Sequence, residues 1–236
     1  VLFRSVVEEK FTQQKLLEFK DRDSFTDVYH VYNEKTKSFV SKLTDKPIFV
    51  LPYWANQNLW KKTGKKRDLR KKFSLPENKY LIGSFQRDTE GFDSITPKLE
   101  KGPDLFIDAL KKFCSLKKVH VVLAGWRRQY VISRLESENI PYTYFEKPKI
   151  ETINELYQTL DLYPITSRCE GGPQALIECG LLKIPVVSRD VGIARYVLPE
   201  ESISDDVTTA VPNVPSVKIL QIPHGFKPYR ELIEKL

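Results

Sequence analysis

The 236-residue chain has no methionine, three histidines and three cysteines. Each shortage excludes something. Cys114, Cys169 and Cys179 are an odd set without zinc-site spacing, and read as reduced thiols of a cytosolic protein. His30, His120 and His224 lack metal-ligand spacing. His30 and His120 fall inside apolar runs, where a structural role is expected. No window approaches the roughly 18 apolar residues of a membrane span. Neither GxGxxG nor GxxxxGK[ST] occurs, so dinucleotide and P-loop readings lose their main support. The missing methionine and the apolar opening Val1-Leu2-Phe3 give the expectation of a piece of a longer protein.

What is present is ordinary for a globular chain: 41% hydrophobic and 29% charged residues. The net charge of +7 is uneven. Much of it lies in "KKTGKKRDLRKK", Lys61–Lys72, which reads as an exposed basic linker. Sharper readings of that run are contact with an anionic membrane surface or nucleic acid. Tyr53, Trp54 and Trp60 precede it without regular interleaving, and nucleic acid is not the expected partner. "DRD", Asp21 to Asp23, has the spacing of a metal-binding Asp-x-Asp, but it lies in a polar turn outside the regular pattern. No metal is expected there.

Residues 1–60 look like the end of one domain. "SVVEEKFTQQKLLEFK" reads as a helix, "DVYHVY" as a strand, and "NEKTKSFVSKL" as a helix capped by Asn33. "PIFVLPYW" reads as a strand. After the linker of 61–72, apolar strands alternate with helices over 73–222. The strands are "YLIGSF", "VHVVLAG", "YTYFEK", "DLYPITS" and "IPVVSRD". Among the helices, "KGPDLFIDALKKF" carries Pro103 in its first turn. "TINELYQTL" has Thr152 and Glu155 at capping-box spacing, and "PQALIECGLL" has Pro173 in its first turn. Strands apolar on both faces imply a doubly wound, Rossmann-like parallel sheet covered on both sides. Residues 223–236 read as an amphipathic helix that packs back on the molecule.

Such sheets bind ligands at the carboxyl ends of their strands. After "YLIGSF" come Gln86 and Arg87, and the loop ends at Lys101-Gly102-Pro103, a helix start. Two cations and a helix N-terminus suit a phosphate or diphosphate. Gly125, after "VHVVLAG", permits close backbone approach. In "RCEGGPQALIECGLL", Glu170 precedes the helix and Glu178 lies about two turns inside it, on a partly covered face. A carboxylate accepts both hydrogen bonds of a vicinal diol, so the two glutamates suit two diols, a sugar and a ribose. Gly171 and Gly172 offer backbone N–H groups to a diphosphate. The alternative is a helix-dipole partner and a satisfied ion pair.

"CEGGPQALIE" followed by "CGLLKIPVVSRDVGIARYVL" resembles the donor-site signature of the retaining group 1 glycosyltransferases, which have the two-domain GT-B fold. "IGSF…KGPDLFIDAL" and "TINELYQTLDLYPITS" resemble the same family, and the likeness runs from about Tyr80 to Leu198. It implies that residues 1–60 are the tail of an acceptor domain and 73–222 a nucleotide-sugar domain. It implies that Glu170 contacts the donor sugar, Glu178 the ribose, and Lys101 and Arg87 the diphosphate. The implied donor site also takes in Ser84, Gly125, Gly171, Gly172, Pro173, Gln174 and Ala175, and residues 145–149 would lie near the base. The donor would be UDP- or GDP-linked, the acceptor a glycan or lipid, and no metal or cofactor is implied. From the reduced cysteines and the basic run, a cytoplasmic location is expected, with peripheral attachment at the inner membrane face through Lys61–Lys72. Two departures stand out. Gly172-Pro173 replaces an aromatic-Gly pair, and Ser84 stands where the family places a basic residue. A nucleotide-sugar epimerase of the same architecture is the nearest rival, and a basic nucleic-acid- or membrane-binding module the rival outside enzymes.

Overall fold

The computed structural model describes residues 2–3, 12–91 and 95–235. The start of the expected first helix falls outside them. The helix that is described, α1 (Gln13–Ser24), is capped by the Thr12 side chain, which accepts from the Lys15 N–H. Three short parallel strands, β1 (Leu2–Phe3), β2 (Tyr29–Val31) and β3 (Ile48–Val50), lie side by side in that order. Helix α2 (Glu34–Val40) opens on Asn33, as the sequence predicts. Phe19, Tyr29, Val31 and Val40 form a small core of their own.

The run 61–72 is only half a linker. Residues Lys66–Lys72 form a helix, α3, with Leu69 and Arg70 buried. Arg70 donates to the Thr159 carbonyl and to Asp161 (2.6 Å), and Lys66 reaches Asp161 as well (3.0 Å). Lys72 pairs with Glu155 (2.5 Å) and Arg67 with Glu77 (2.8 Å). The run folds because its cations meet carboxylates elsewhere in the chain. Lys61, Lys62 and Lys65 stay exposed.

The larger sheet is built from β4 (Tyr80–Ser84), β5 (Val119–Gly125), β6 (Tyr142–Glu146), β7 (Tyr163–Ile165) and β8 (Val186–Ser188). The pairs β4–β5, β5–β6 and β7–β8 are parallel. β4 meets β7 through the parallel bridge Ile82–Leu162, and the Gly83 N–H donates to the Leu162 carbonyl (3.0 Å). Read across, the order is β6-β5-β4-β7-β8, so the winding reverses between β4 and β7. Both faces are covered. Leu81, Val122 and Ala124 point into one core, while their neighbours Ile82, Val121 and Leu123 point into the other. This confirms the doubly wound α/β reading.

Helices α4 (Pro103–Leu116), α5 (Gln129–Ser137), α6 (Ile150–Tyr157) and α7 (Gln174–Leu182) connect the strands. α8 (Ala194–Val197) and α9 (Lys227–Ile233) follow. α6 begins after Lys149, so Thr152 lies inside the helix and the expected capping box does not form. Pro173 is the cap residue of α7 rather than part of its first turn. In α9, Tyr229 bonds the Leu51 and Pro52 carbonyls (3.0 Å each) and packs its ring against Trp54 and His30. No helix among the described residues is long and apolar enough to cross a membrane.

Candidate functional site

A reversal of winding leaves a crevice at the strand carboxyl ends, because the loops on either side diverge to opposite faces. Here those loops follow β4 and β7, and the chain ties them together. The Arg168 and Cys169 N–H groups donate to the Glu100 carbonyl. Arg168 grips Asp104 through two bonds of 2.7 and 2.6 Å, which holds that carboxyl below its usual range. Thr166 Oγ1 donates to the Gly102 carbonyl (2.9 Å). Gly102 has φ +59°, and a Cβ there would lie 2.0 Å from the Thr166 oxygen. Only glycine fits that turn.

This stitching brings Lys101 and Glu170 into contact. Lys101 Nζ lies 2.5 Å from Glu170 Oε1, with the two side chains 29% and 11% exposed. Ser167 Oγ donates to the same carboxylate oxygen (2.9 Å), and Gln86 Nε2 donates to the Lys101 carbonyl (2.9 Å). Three of the residues singled out from sequence therefore meet in the crevice. Arg87 does not join them. It is exposed and makes no hydrogen bond or ion pair with a described residue. The polar loop carries its side chain outward.

The Gly171-Gly172-Pro173 segment is held between three groups. Asn33 Nδ2 donates to the Gly171 carbonyl (3.0 Å). The Tyr53 ring covers Gly172, where a Cβ would fall 2.2 Å from it. Gly192, at φ +56°, closes the other side: its own Cβ would lie 2.6 Å from the Pro173 ring and 3.0 Å from the Gly171 oxygen. The Gly171 and Gly172 N–H groups meet no acceptor among the described residues. α7 starts at Gln174, which is exposed, and Ala175 packs on the core. Unpaired amides at a helix start suit an anion.

Glu178 lies half-buried on α7, where it accepts from Tyr157 Oη (2.5 Å). Burial pushes its carboxyl up to about 7, and the Tyr157 bond pulls the other way. Phe85, Tyr157, Tyr163 and Trp60 cluster around it, with ring centroids 4.6 to 5.8 Å apart. No cation pairs with Glu178 among the described residues.

Ser84 belongs to a different centre, which the sequence reading missed. Arg128 is fully buried. Its Nε donates to Asp88 (2.9 Å), Nη2 to Ser84 Oγ (2.9 Å), and Nη1 to the Ser84 and Ala124 carbonyls. Burial raises the Asp88 carboxyl despite Arg128 beside it. The Ser84 hydroxyl is thus turned to Arg128 rather than to the crevice. Gly125, at φ +104°, accepts from Tyr144 Oη and passes close to the Phe85 carbonyl. A basic residue three positions after a strand glycine was the one available signal.

Among the described residues, no group of three or more His, Cys, Asp or Glu side chains converges as metal ligands. Asp23 of the Asp-x-Asp pair accepts from Tyr29 Oη and Thr44 Oγ1 and ties the first sheet. His30 bonds the Leu51 carbonyl and His120 bonds Thr143, the structural roles expected of them.

The family model described as glycosyl transferases group 1 matches residues 66–209. Anabaena HepE, solved in complex with UDP and glucose, superposes with a TM-score of 0.78 at 16% identity. The match covers 98% of this chain and 69% of that one. Sucrose-phosphate synthase from Thermosynechococcus elongatus superposes at 0.65 with 17% identity, over 84% of this chain and 50% of the synthase. WaaG, a glycosyltransferase involved in lipopolysaccharide biosynthesis, gives 0.62 and 15%, over 81% and 53%. No curated protein matches the sequence.

Proposed function

The chain belongs to the group 1 glycosyl transferases of GT-B fold, and from that premise we propose that the β4–β7 crevice binds a nucleotide-sugar donor. The observation that carries this is the Lys101–Glu170 contact across the reversal point. It sets one partly exposed cation and one carboxylate beside the unpaired amides of Gly171 and Gly172. In this reading the donor diphosphate takes Lys101 and the glycine amides. Glu170, released from Lys101, accepts hydrogen bonds from the sugar hydroxyls. Glu178 receives the ribose diol at the inner end of the crevice. HepE was solved with UDP and with UDP-glucose, which supports a UDP-linked donor.

The chemical step is transfer of the sugar to an acceptor hydroxyl, with the nucleoside diphosphate as leaving group. Negative charge grows on the diphosphate as the glycosidic bond breaks. In this reading Lys101 and the start of α7 stabilise that charge. We extend the proposal to a retaining transfer that needs no metal, with a glycan or lipid acceptor. The basic run offers less to a membrane than its sequence implies, since Lys66, Arg67, Arg70 and Lys72 are engaged internally. The test is calorimetry with UDP and UDP-glucose, with and without EDTA. Micromolar-to-millimolar binding that survives EDTA supports the reading. Absence of binding to either ligand overturns it, and binding restored only by manganese overturns the metal-free part.

A further inference from the structure

Asn33 looks, from sequence, like a helix cap and nothing more. It does cap α2: its Oδ1 accepts from the Thr36 N–H (2.8 Å). The same side chain reaches 138 residues along the chain, where Nδ2 donates to the Gly171 carbonyl (3.0 Å). Asn33 is buried. The orientation of its amide is unambiguous, because reversing it would set two donors and two acceptors face to face.

A peptide unit is planar and trans, so the Gly171 carbonyl and the Gly172 N–H point in opposite directions. Whatever fixes one aims the other. Asn33 holds the carbonyl, and this turns the Gly172 N–H away from Asn33. Two consecutive glycines have no side chain to hold that plane, and glycine samples both signs of φ. Tyr53, stacked on Tyr32 at 3.7 Å, and Gly192 limit the segment from the sides. Asn33 is the group that bonds the Gly171 carbonyl itself.

We propose that Asn33 is a positioning residue, which presets the Gly171–Gly172 peptide so that the Gly172 N–H is aimed at the donor diphosphate. The proposal rests on the reading of the crevice as a donor site. It gives the N-terminal sheet a direct hold on the geometry of the binding loop. One amide side chain both starts α2 and orients an anion-binding peptide on the other region.

Substitution can separate the two roles. Serine and aspartate cap helices as well as asparagine, but serine is too short to reach Gly171 and aspartate cannot donate to a carbonyl. Asn33→Ser and Asn33→Asp therefore keep the cap and lose the link. The experiment uses the full chain and three readouts: thermal unfolding, the heteronuclear NOE of the Gly172 amide, and calorimetry with UDP. Asn33→Ser is expected to melt near wild type and Asn33→Asp, which sets a carboxylate against the Gly171 carbonyl, below it; both are expected to show a mobile Gly172 amide and to bind UDP about 5- to 15-fold more weakly. Agreement between the neutral and charged variants shows that the lost donor, not added charge, is responsible. An unchanged Gly172 amide or wild-type UDP affinity in both variants would overturn the proposal. So would loss of fold in both, which would make Asn33 structural. A mobile Gly172 in variants of a wild type that itself binds no UDP would leave Asn33 as the holder of the peptide and sink the donor reading instead.

Discussion

Two ion pairs anchor the loop that leaves β4, one on the side of β5 and one on the side of β7. Arg128–Asp88 lies on the β5 side without exposure, and the guanidinium also bonds two carbonyls and a hydroxyl. Lys101–Glu170 lies on the β7 side with part of the lysine open to solvent, and the lysine has one carboxylate as its partner. Both pairs join charges across the sheet edge, yet their chemistry diverges. A buried guanidinium with four of its five N–H groups bonded inside the fold has little to offer a ligand. An ammonium with one partner and an open side can exchange that partner for a phosphate. Composition does not separate structure from function here; the number of competing partners does.

The sharpest way to break this comparison is to remove the buried cation. Arg128→Met leaves Asp88 buried without its counter-charge and strands the Ser84 hydroxyl. We expect a loss of about 3–5 kcal/mol in urea unfolding. A loss under about 1 kcal/mol would show that the β5-side pair is no more structural than the other.

Glu178 extends the comparison to a carboxyl with no cation among the described residues. Its folded pKa is raised from the usual 4.5 to about 7 by burial. Between those values the folded state holds a proton that the unfolded state has released. The contribution of Glu178 to stability is therefore fullest below about pH 4.5 and declines as pH rises through 7. Glu178→Gln abolishes that decline. The stability difference between variant and wild type should shift in favour of the variant by roughly 2–3 kcal/mol from pH 4.5 to 8. Parallel pH profiles in chemical unfolding would refute the raised value. On the donor reading, UDP affinity of the wild type should rise over the same window, because ribose hydroxyls would donate to the ionised form.

Lys101→Met tests the exposed pair. The donor reading assigns it a charge-assisted bond to the diphosphate, so UDP affinity should fall by about 1.5–2 kcal/mol. Stability should change by less than about 1 kcal/mol, since Glu170 keeps Ser167 and a route to water. Calorimetry beside urea unfolding separates the two quantities. A large stability loss with unchanged UDP affinity would reverse the roles of the two pairs.

Much of the β7-side pair was legible in sequence, and almost none of the β5-side pair. Lys101 and Glu170 each stand at a loop-to-helix boundary marked by Gly-Pro or Gly-Gly-Pro. Local punctuation places them at the ligand edge whatever the rest of the fold does. Arg128 carries no such mark. Its burial depends on Asp88, 40 residues earlier, and on a strand carbonyl that becomes available only when β4 and β5 pair. Arg87 illustrates the converse: it follows β4 as closely as Gln86 does, yet its exposed side chain joins neither Lys101 nor Glu170. The basic run misled for a similar reason. Arg70 faces inward where the Thr159 carbonyl and Asp161, 89 and 91 residues on, converge from the end of α6 and the β7 approach. Periodicity and capping report on the nearest few residues, and long-range polar partners lie beyond them.

The smallest effect is also the most discriminating, because its sign is opposite to intuition. Glu170→Gln keeps the shape of the carboxylate and its bond from Ser167 but removes the charge that holds Lys101. If Lys101 trades Glu170 for the diphosphate, the wild type must break an ion pair when UDP binds, and the variant need not. UDP should therefore bind the variant about 2- to 5-fold more tightly, equivalent to roughly 0.5–1 kcal/mol for a partly exposed pair. UDP-glucose should gain less than UDP, because its sugar loses the charged acceptor that Glu170 supplies in the wild type. The preference for nucleotide-sugar over nucleotide then narrows while the affinity for the nucleotide rises. Arg128 permits no equivalent gain, since no ligand competes for its partners. Calorimetry with both ligands on both proteins checks the sign. Weaker binding of UDP by Glu170→Gln would mean that the carboxylate orients Lys101 for the phosphate rather than competing with it, and the exchange at the heart of the comparison would have to be given up.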